Sequence, residues 1–214
     1  MSAVTRYLVL DIGSASVGGA VVEYSKGELP CIKFSIREEI SYREILEKER
    51  FLKDALQTLD EVLRKILAGY VGTIHGVSVG LFSVFATVRT RLLRTDYQVP
   101  VRITQKLLDK LRNDFPSSFF EEHQMQVKLN GYETANPFGK EAKQVELAIS
   151  RSFGEPKILE MISLAIRKHF HTKNIFFHGF PFIAYMAIRD LMPEESEFLF
   201  LDIGGEVTDI SLVR

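Results

Sequence analysis

The chain opens on the apolar run Tyr7–Leu10, and the β-type runs Val17–Tyr24 and Ile32–Arg37 follow after Gly-bearing turns. Short runs of β-branched and apolar residues bounded by such turns predict three consecutive strands. From about Tyr42 to Leu67 the period changes. Ile45, Leu52, Leu56, Leu59, Leu63 and Ile66 recur at steps of three, four or seven, which is one face of a helix. Gly69 stands just beyond, where a C-cap glycine belongs. The apolar segment "TIHGVSVG" predicts a buried strand, so this part of the chain is an α/β layer.

From about Leu81 the pattern becomes half-exposed. Val84, Ala86 and Val88 alternate with Phe85, Thr87, Arg89 and Arg91, a strand with a basic outer face. "ITQKLLDKLRNDF" predicts a short helix with Thr104 at its cap. "QMQVKL" and "EAKQVELAISRSF" predict strands around the turn-rich "NGYETANPFGK". A helix with Ile158, Ile162, Ala165 and Ile166 on one face runs to about Phe170. Residues 81–172 thus read as an inserted α+β domain. "NIFFHG" marks a return to the buried sheet, and a helix Pro181–Leu191 leads into a last apolar strand and hairpin.

Composition narrows the class. The 214 residues are 46% hydrophobic and 26% charged with a net charge of −1, so no bulk electrostatic attraction draws the chain to nucleic acid or acidic lipid. Cys31 is alone, which excludes a disulfide framework and fits a reducing compartment. The start of the chain lacks a signal-peptide pattern, and its longest apolar stretch is too short for a membrane helix. The expected location is the cytoplasm.

The chemistry lies in two stretches that repeat one another, "YLVLDIGSASVGGAVVEY" and "EFLFLDIGGEVTDISLVR". In each, an apolar strand reaches Asp-Ile-Gly, turns through small or hydroxyl residues, and returns as a strand. Glycine at such a turn permits positive φ and lets backbone N–H groups approach an anion closely. Ser14 and Thr208 add hydroxyl donors. Asp11 and Asp202 repel a bare phosphate, so their expected partner is Mg²⁺, which takes one or two carboxylates together with phosphate oxygens. Either turn alone is also what ordinary hairpin chemistry produces. Two copies with hydroxyls in register favour a pair of phosphate-binding hairpins, one on each side of a cleft, with Asp11, Gly13, Ser14, Asp202, Gly204, Gly205 and Thr208 as its residues.

These two motifs resemble the phosphate-1 and phosphate-2 segments of the actin–Hsp70–sugar kinase ATPase superfamily. The middle of the chain is similar to the inserted 1C (SHS2-type) subdomain of the bacterial cell-division FtsA family, with Asn136-Pro137-Phe138-Gly139 and Val145-Glu146-Leu147 loosely matching a family segment. The PilM family of pilus-assembly proteins shares that architecture and is the near alternative. The resemblance implies an actin-like (ribonuclease H-like) subdomain 1A over residues 1–80 and 173–200. It implies subdomain 1C over 81–172 and the start of subdomain 2A over 197–214. With the chain ending at Arg214, the rest of the second half, including the adenosine pocket, is expected to be missing, as in a fragment.

The implied cofactors are ATP and Mg²⁺. The implied role is a scaffold that self-associates into protofilaments and links a cell-division or pilus machine to the inner face of the membrane. Its partners would be a tubulin-like division protein or pilus-assembly proteins. A sugar-kinase-like phosphotransferase and a degenerate interaction module remain as alternatives, and no catalytic residue is identified. Gly18 stands where many relatives carry a phosphate-reaching lysine, and the helix Pro181–Asp190 lacks a Gln or Glu to orient water. Both features predict slow hydrolysis at most. His169, His171 and His178 lack neighbours spaced to complete a metal site and read as structural or surface residues. Phe176, Phe177, Phe180, Phe182 and Tyr185 read as core.

Overall fold

The computed structural model describes residues 4–41, 47–113, 118–195, 197–205 and 207–213. Its order is β1 (Thr5–Ile12), β2 (Ser16–Tyr24), β3 (Cys31–Glu39), α1 (Lys48–Gly69), β4 (Gly76–Leu81), β5 (Ala86–Arg102) and α2 (Gln105–Arg112). There follow β6 (Glu121–Leu129), β7 (Tyr132–Glu133), β8 (Glu141–Gly154), α3 (Pro156–His169), β9 (Ile175–Gly179), α4 (Phe180–Leu191), β10 (Phe198–Ile203) and β11 (Thr208–Val213). Two compact units emerge, Met1–Thr87 with Gly154–Arg214, and Val88–Phe153.

The first unit is built on a five-stranded sheet of order β3-β2-β1-β4-β9. The first three strands are antiparallel neighbours, while β4 and β9 run parallel to β1. Alternation along β1 buries Leu8, Leu10 and Ile12 on one face. Helix α1 covers that face so closely that a Cβ on Gly19 would lie 2.6 Å from Ile66 Cδ1. On the other face α4 approaches, with Ile183 Cδ1 at 3.2 Å from the Cβ position of Gly80. Strand β10 is not part of this sheet. Among the described residues it pairs with β11, in a separate hairpin.

The first part of the expected helix, Tyr42 to Leu46 with Ile45, lies outside the described residues. Within α1 the buried face is Phe51, Ala55, Leu59, Val62, Leu63 and Ile66. Leu52 and Leu56 are only half-buried, because Phe51 turns inward to stack on Phe85 at 5.4 Å. Gly69 is not a left-handed cap. It is the last helical residue, followed by an extended Tyr70. Its lack of a side chain instead admits the ring of Phe34, whose Cζ would stand 2.6 Å from a Cβ there.

The boundary of the inserted region also differs from the 81–172 expected. Helix α3 packs on α1 and belongs to the first unit, burying Ile158, Ile162 and Ile166. Polar links reinforce this, from Lys48 to Glu155 at 2.9 Å and from Asp60 to Lys168 and His169 at 2.9 and 2.7 Å. The aromatic run around α4 is less buried than its composition suggested. Phe176 is about half exposed, Phe177, Phe180, Phe182 and Tyr185 are half-buried, and of α4 only Ala184 is fully buried.

The second unit is a four-stranded sheet, β5-β8-β6-β7, with α2. Its core gathers Ile103, Leu108, Leu111, Val127, Leu129, Val145, Leu147 and Ile149. Thr104 Oγ1 accepts the Leu107 N–H at 3.2 Å, the expected N-cap. Asn130 and Gly131 both take positive φ, 52° and 85°, in the Asn-Gly turn between β6 and β7. Strand β5 runs much further than the 84–91 segment legible in the sequence. It is an edge strand, which is where Pro100 can be accommodated without losing a ladder hydrogen bond.

Candidate functional site

Asp11 stands at the carboxyl end of β1, the end of a parallel strand layer at which ligands of α/β folds gather. After it Gly13 donates its N–H to Ser16 O at 3.0 Å, closing the first turn, and Ser14 is buried. The second turn closes in the same way, with the Gly204 N–H on Val207 O at 3.0 Å. The two turns meet directly. The Gly205 N–H donates to Ser14 Oγ at 3.0 Å, and a Cβ on Gly205 would lie 2.9 Å from Ala15 Cβ. A Cβ on Gly204 would collide with Ser14 Oγ. Neither turn places a glycine at positive φ. These glycines serve close approach of one turn to the other, not a left-handed backbone.

The pair of turns therefore brings together Asp11, Gly13, Ser14, Asp202, Gly204 and Gly205. The amides of Gly13, Gly204 and Gly205 are engaged in turn closure and in the turn-to-turn bond. Thr208 lies apart from this set. It pairs with Ile203 on β10, and the two-residue period places it on the opposite hairpin face from Asp202.

Asp202 is directly opposite Asp209 across the β10–β11 ladder. Burial raises the Asp202 carboxyl above the ordinary carboxylate value, and repulsion from Asp209 and then Asp11 raises it further. Asp209 Oδ2 is buried with no hydrogen-bond partner among the described residues. Among those residues no three carboxylate, imidazole or thiol groups form a metal cage. Converging carboxylates with one orphaned buried oxygen nevertheless fit a cation that takes its remaining ligands from water and phosphate.

Two of these groups escaped the sequence reading. Asp209 was recoverable from hairpin pairing, because a turn joining Ile203 to Thr208 sets Asp202 against Asp209. Arg37 was not. Its Nη2 donates to Asp11 Oδ2 at 2.7 Å and its Nη1 to Ser16 Oγ at 2.6 Å. The β2–β3 register that places it there includes a bulge at Val21/Val22. Of the three histidines, His178 lies on the row Asp11–Gly80–His178 across β1, β4 and β9, whereas His169 is held elsewhere. His169 Nε2 lies 2.7 Å from Asp60 Oδ1 at the end of α3.

The element order, the sheet and the paired turns define the actin-like ATPase fold. Among solved structures, the chain is similar to one in the PilM–PilN type IV pilus biogenesis complex. The TM-score is 0.59 at 18% identity, over 100% of this chain and 58% of that one. A Bacteroides thetaiotaomicron protein described as having an actin-like ATPase fold and unknown function follows at TM-score 0.40 and 11% identity, over 97% of this chain and 65% of that one. The Aquifex aeolicus PPX-GPPA enzyme matches at TM-score 0.39 and 13% identity, over 98% and 48%. No protein-family model and no curated protein matches the sequence. The chain thus spans less than two thirds of the length of each of these relatives.

Proposed function

We propose that this chain supplies the phosphate-binding part of an actin-fold scaffold that binds ATP with Mg²⁺ and acts in assembling a type IV pilus-type machine. The observation that carries the reading is the meeting of two Asp-Ile-Gly turns at the carboxyl end of the sheet, with the Asp11 and Asp202 carboxylates near enough to repel one another. The similarity to a chain of the PilM–PilN complex supports the pilus branch over the FtsA-type division role. By the same analogy its partners are pilus-assembly proteins, and self-association into protofilaments belongs to the division alternative. No helix of the described residues is long and apolar enough to cross a membrane. The location that goes with the pilus-assembly reading is the cytoplasm, at the inner face of the cell membrane.

Each residue has a task in this reading. The Gly204 and Gly205 backbone and Ser14 give way to phosphate oxygens, which replace the Ser14–Gly205 hydrogen bond. Asp11 and Asp202 would hold Mg²⁺ through its waters, and the ion would supply neutralising charge to the phosphates. Asp209, opposite Asp202, adds negative charge on the same side. For these groups to reach phosphate, the Ser14–Gly205 hydrogen bond between the two turns would have to open.

ATP binding by the full-length protein, measured with Mg²⁺ and with EDTA, tests this. Asp11→Asn is expected to weaken the Mg²⁺-dependent affinity by about tenfold, with a smaller effect in EDTA. Equal loss under both conditions contradicts the metal role.

A further inference from the structure

Arg37 reaches the first turn by an unusual route. Asp11 pairs with Gly18 across β1–β2, and Gly18 pairs with Arg37 across β2–β3, so the three residues form one row across three strands. The Arg37 side chain lies along that row, over Gly18, and ends on Asp11 and Ser16. A Cβ on Gly18 would stand 2.9 Å from Nη2 and 3.2 Å from Cζ of Arg37. Position 18 and the guanidinium occupy the same space. The site can hold a side chain on β2 or the arginine from β3, but not both without displacement.

The pair is poorly explained as a stabilising device. Arg37 is 58% exposed and Asp11 34% exposed, and ion pairs of this kind contribute about 0–1 kcal/mol. A guanidinium carries five N–H donors in a fixed fork that matches phosphate oxygens, and two are engaged here. It also places a fixed positive charge beside a turn whose own side chains are acidic or neutral.

We infer that Arg37 is a phosphate-binding residue of this site, donating from β3 to the terminal phosphates of a nucleoside di- or triphosphate, and that Gly18 is the glycine that lets it through. The inference rests on the phosphate-cleft reading above. It makes positions 18 and 37 alternatives for one cation. Because that cation is covalently fixed, part of the polyphosphate affinity survives without metal.

The test is ATP affinity of the full-length protein in EDTA, for the wild type, Arg37→Ala, Arg37→Gln, and the double variant Arg37→Ala with Gly18→Lys. Loss of a charge-assisted hydrogen bond predicts at least about tenfold weaker ATP binding for both single variants, with thermal unfolding close to wild type. Adenosine affinity is expected to be unchanged in all of them. The lysine at position 18, with the arginine gone, is expected to recover most of the lost ATP affinity. Wild-type ATP affinity in folded Arg37→Ala and Arg37→Gln overturns this inference and leaves the cleft reading standing. Failure of the folded double variant to recover any affinity also overturns it, since a role exerted only through Asp11 gives that result. A wild-type protein that binds no ATP, with or without Mg²⁺, overturns the cleft reading and this inference together.

Discussion

Asp202 faces a second aspartate across the hairpin ladder, in a partly buried position, and like charges placed directly opposite are destabilising. Its carboxyl is held above the ordinary value, so the fold disfavours the ionised form. The folded chain therefore loses stability as pH rises from the ordinary carboxylate range through the raised value, and keeps it below. Asp202→Asn is expected to raise the melting temperature by about 2–4 °C near neutral pH, a shift of order 1 kcal/mol for a chain of this size. The gain should shrink toward about pH 4, where the wild-type carboxyl is increasingly protonated. Thermal melts at the two pH values check this, and a variant less stable than wild type at neutral pH contradicts it. The same substitution is expected to weaken Mg²⁺-dependent ATP binding. At this scale Asp11 and Asp202 were legible, because strand-Asp-Ile-Gly is a local pattern. Arg37 was not, because its place depends on a register between strands joined by the irregular segment from Ser25 to Pro30.

Among the elements, the α1–α3 contact carries the clearest electrostatic signature. Asp60 on α1 accepts from His169 and Lys168 at the end of α3, and those hydrogen bonds, His169 first, lower its carboxyl to about 2. A depressed carboxylate contributes stability that is complete above its unfolded value and is lost as pH falls through its folded value. Asp60→Asn is thus expected to cost about 1 kcal/mol near neutral pH, since the partly exposed pair is screened by solvent. That cost should vanish between about pH 4 and pH 2. Chemical denaturation across this range measures it, and a cost independent of pH contradicts the assignment. This contact also explains why the inserted region was drawn too wide from sequence. The apolar stripe Ile158–Ile162–Ile166 says that α3 is amphipathic, but the stripe does not name the helix it faces. Strand β5 was underestimated for a related reason, because an exposed edge strand has little apolar alternation to reveal its length.

For the whole molecule, the α/β layer, the return of the chain to its sheet at Ile175–Gly179 and the two repeated turns were legible because each depends on runs and repeats in the chain, whereas the strand order and the parallel pairing of β1, β4 and β9 were not. Burial was less legible. The apolar strands β10 and β11 look like core, yet Leu199, Leu201, Ile203, Ile210 and Leu212 are all more than half exposed in their two-stranded sheet. Hydrolysis is a property of the whole arrangement. Helix α4, with the sequence FPFIAYMAIRDL, offers no Gln or Glu to orient an attacking water. Arg37 supplies charge without supplying that group. Phosphate release by the full-length protein is therefore expected to stay well below ~1 s⁻¹, and turnover at or above that rate contradicts the scaffold role.

The central claim is that nucleotide phosphates enter between the two turns and break the Ser14–Gly205 hydrogen bond. Backbone amide NMR of the full-length protein during an ATP–Mg²⁺ titration tests it most directly. The account predicts saturable shifts at Gly13, Ser14, Gly204 and Gly205 that exceed those elsewhere in the first unit. Saturable ATP binding that leaves these four amides unmoved, or no binding by the folded protein, contradicts it.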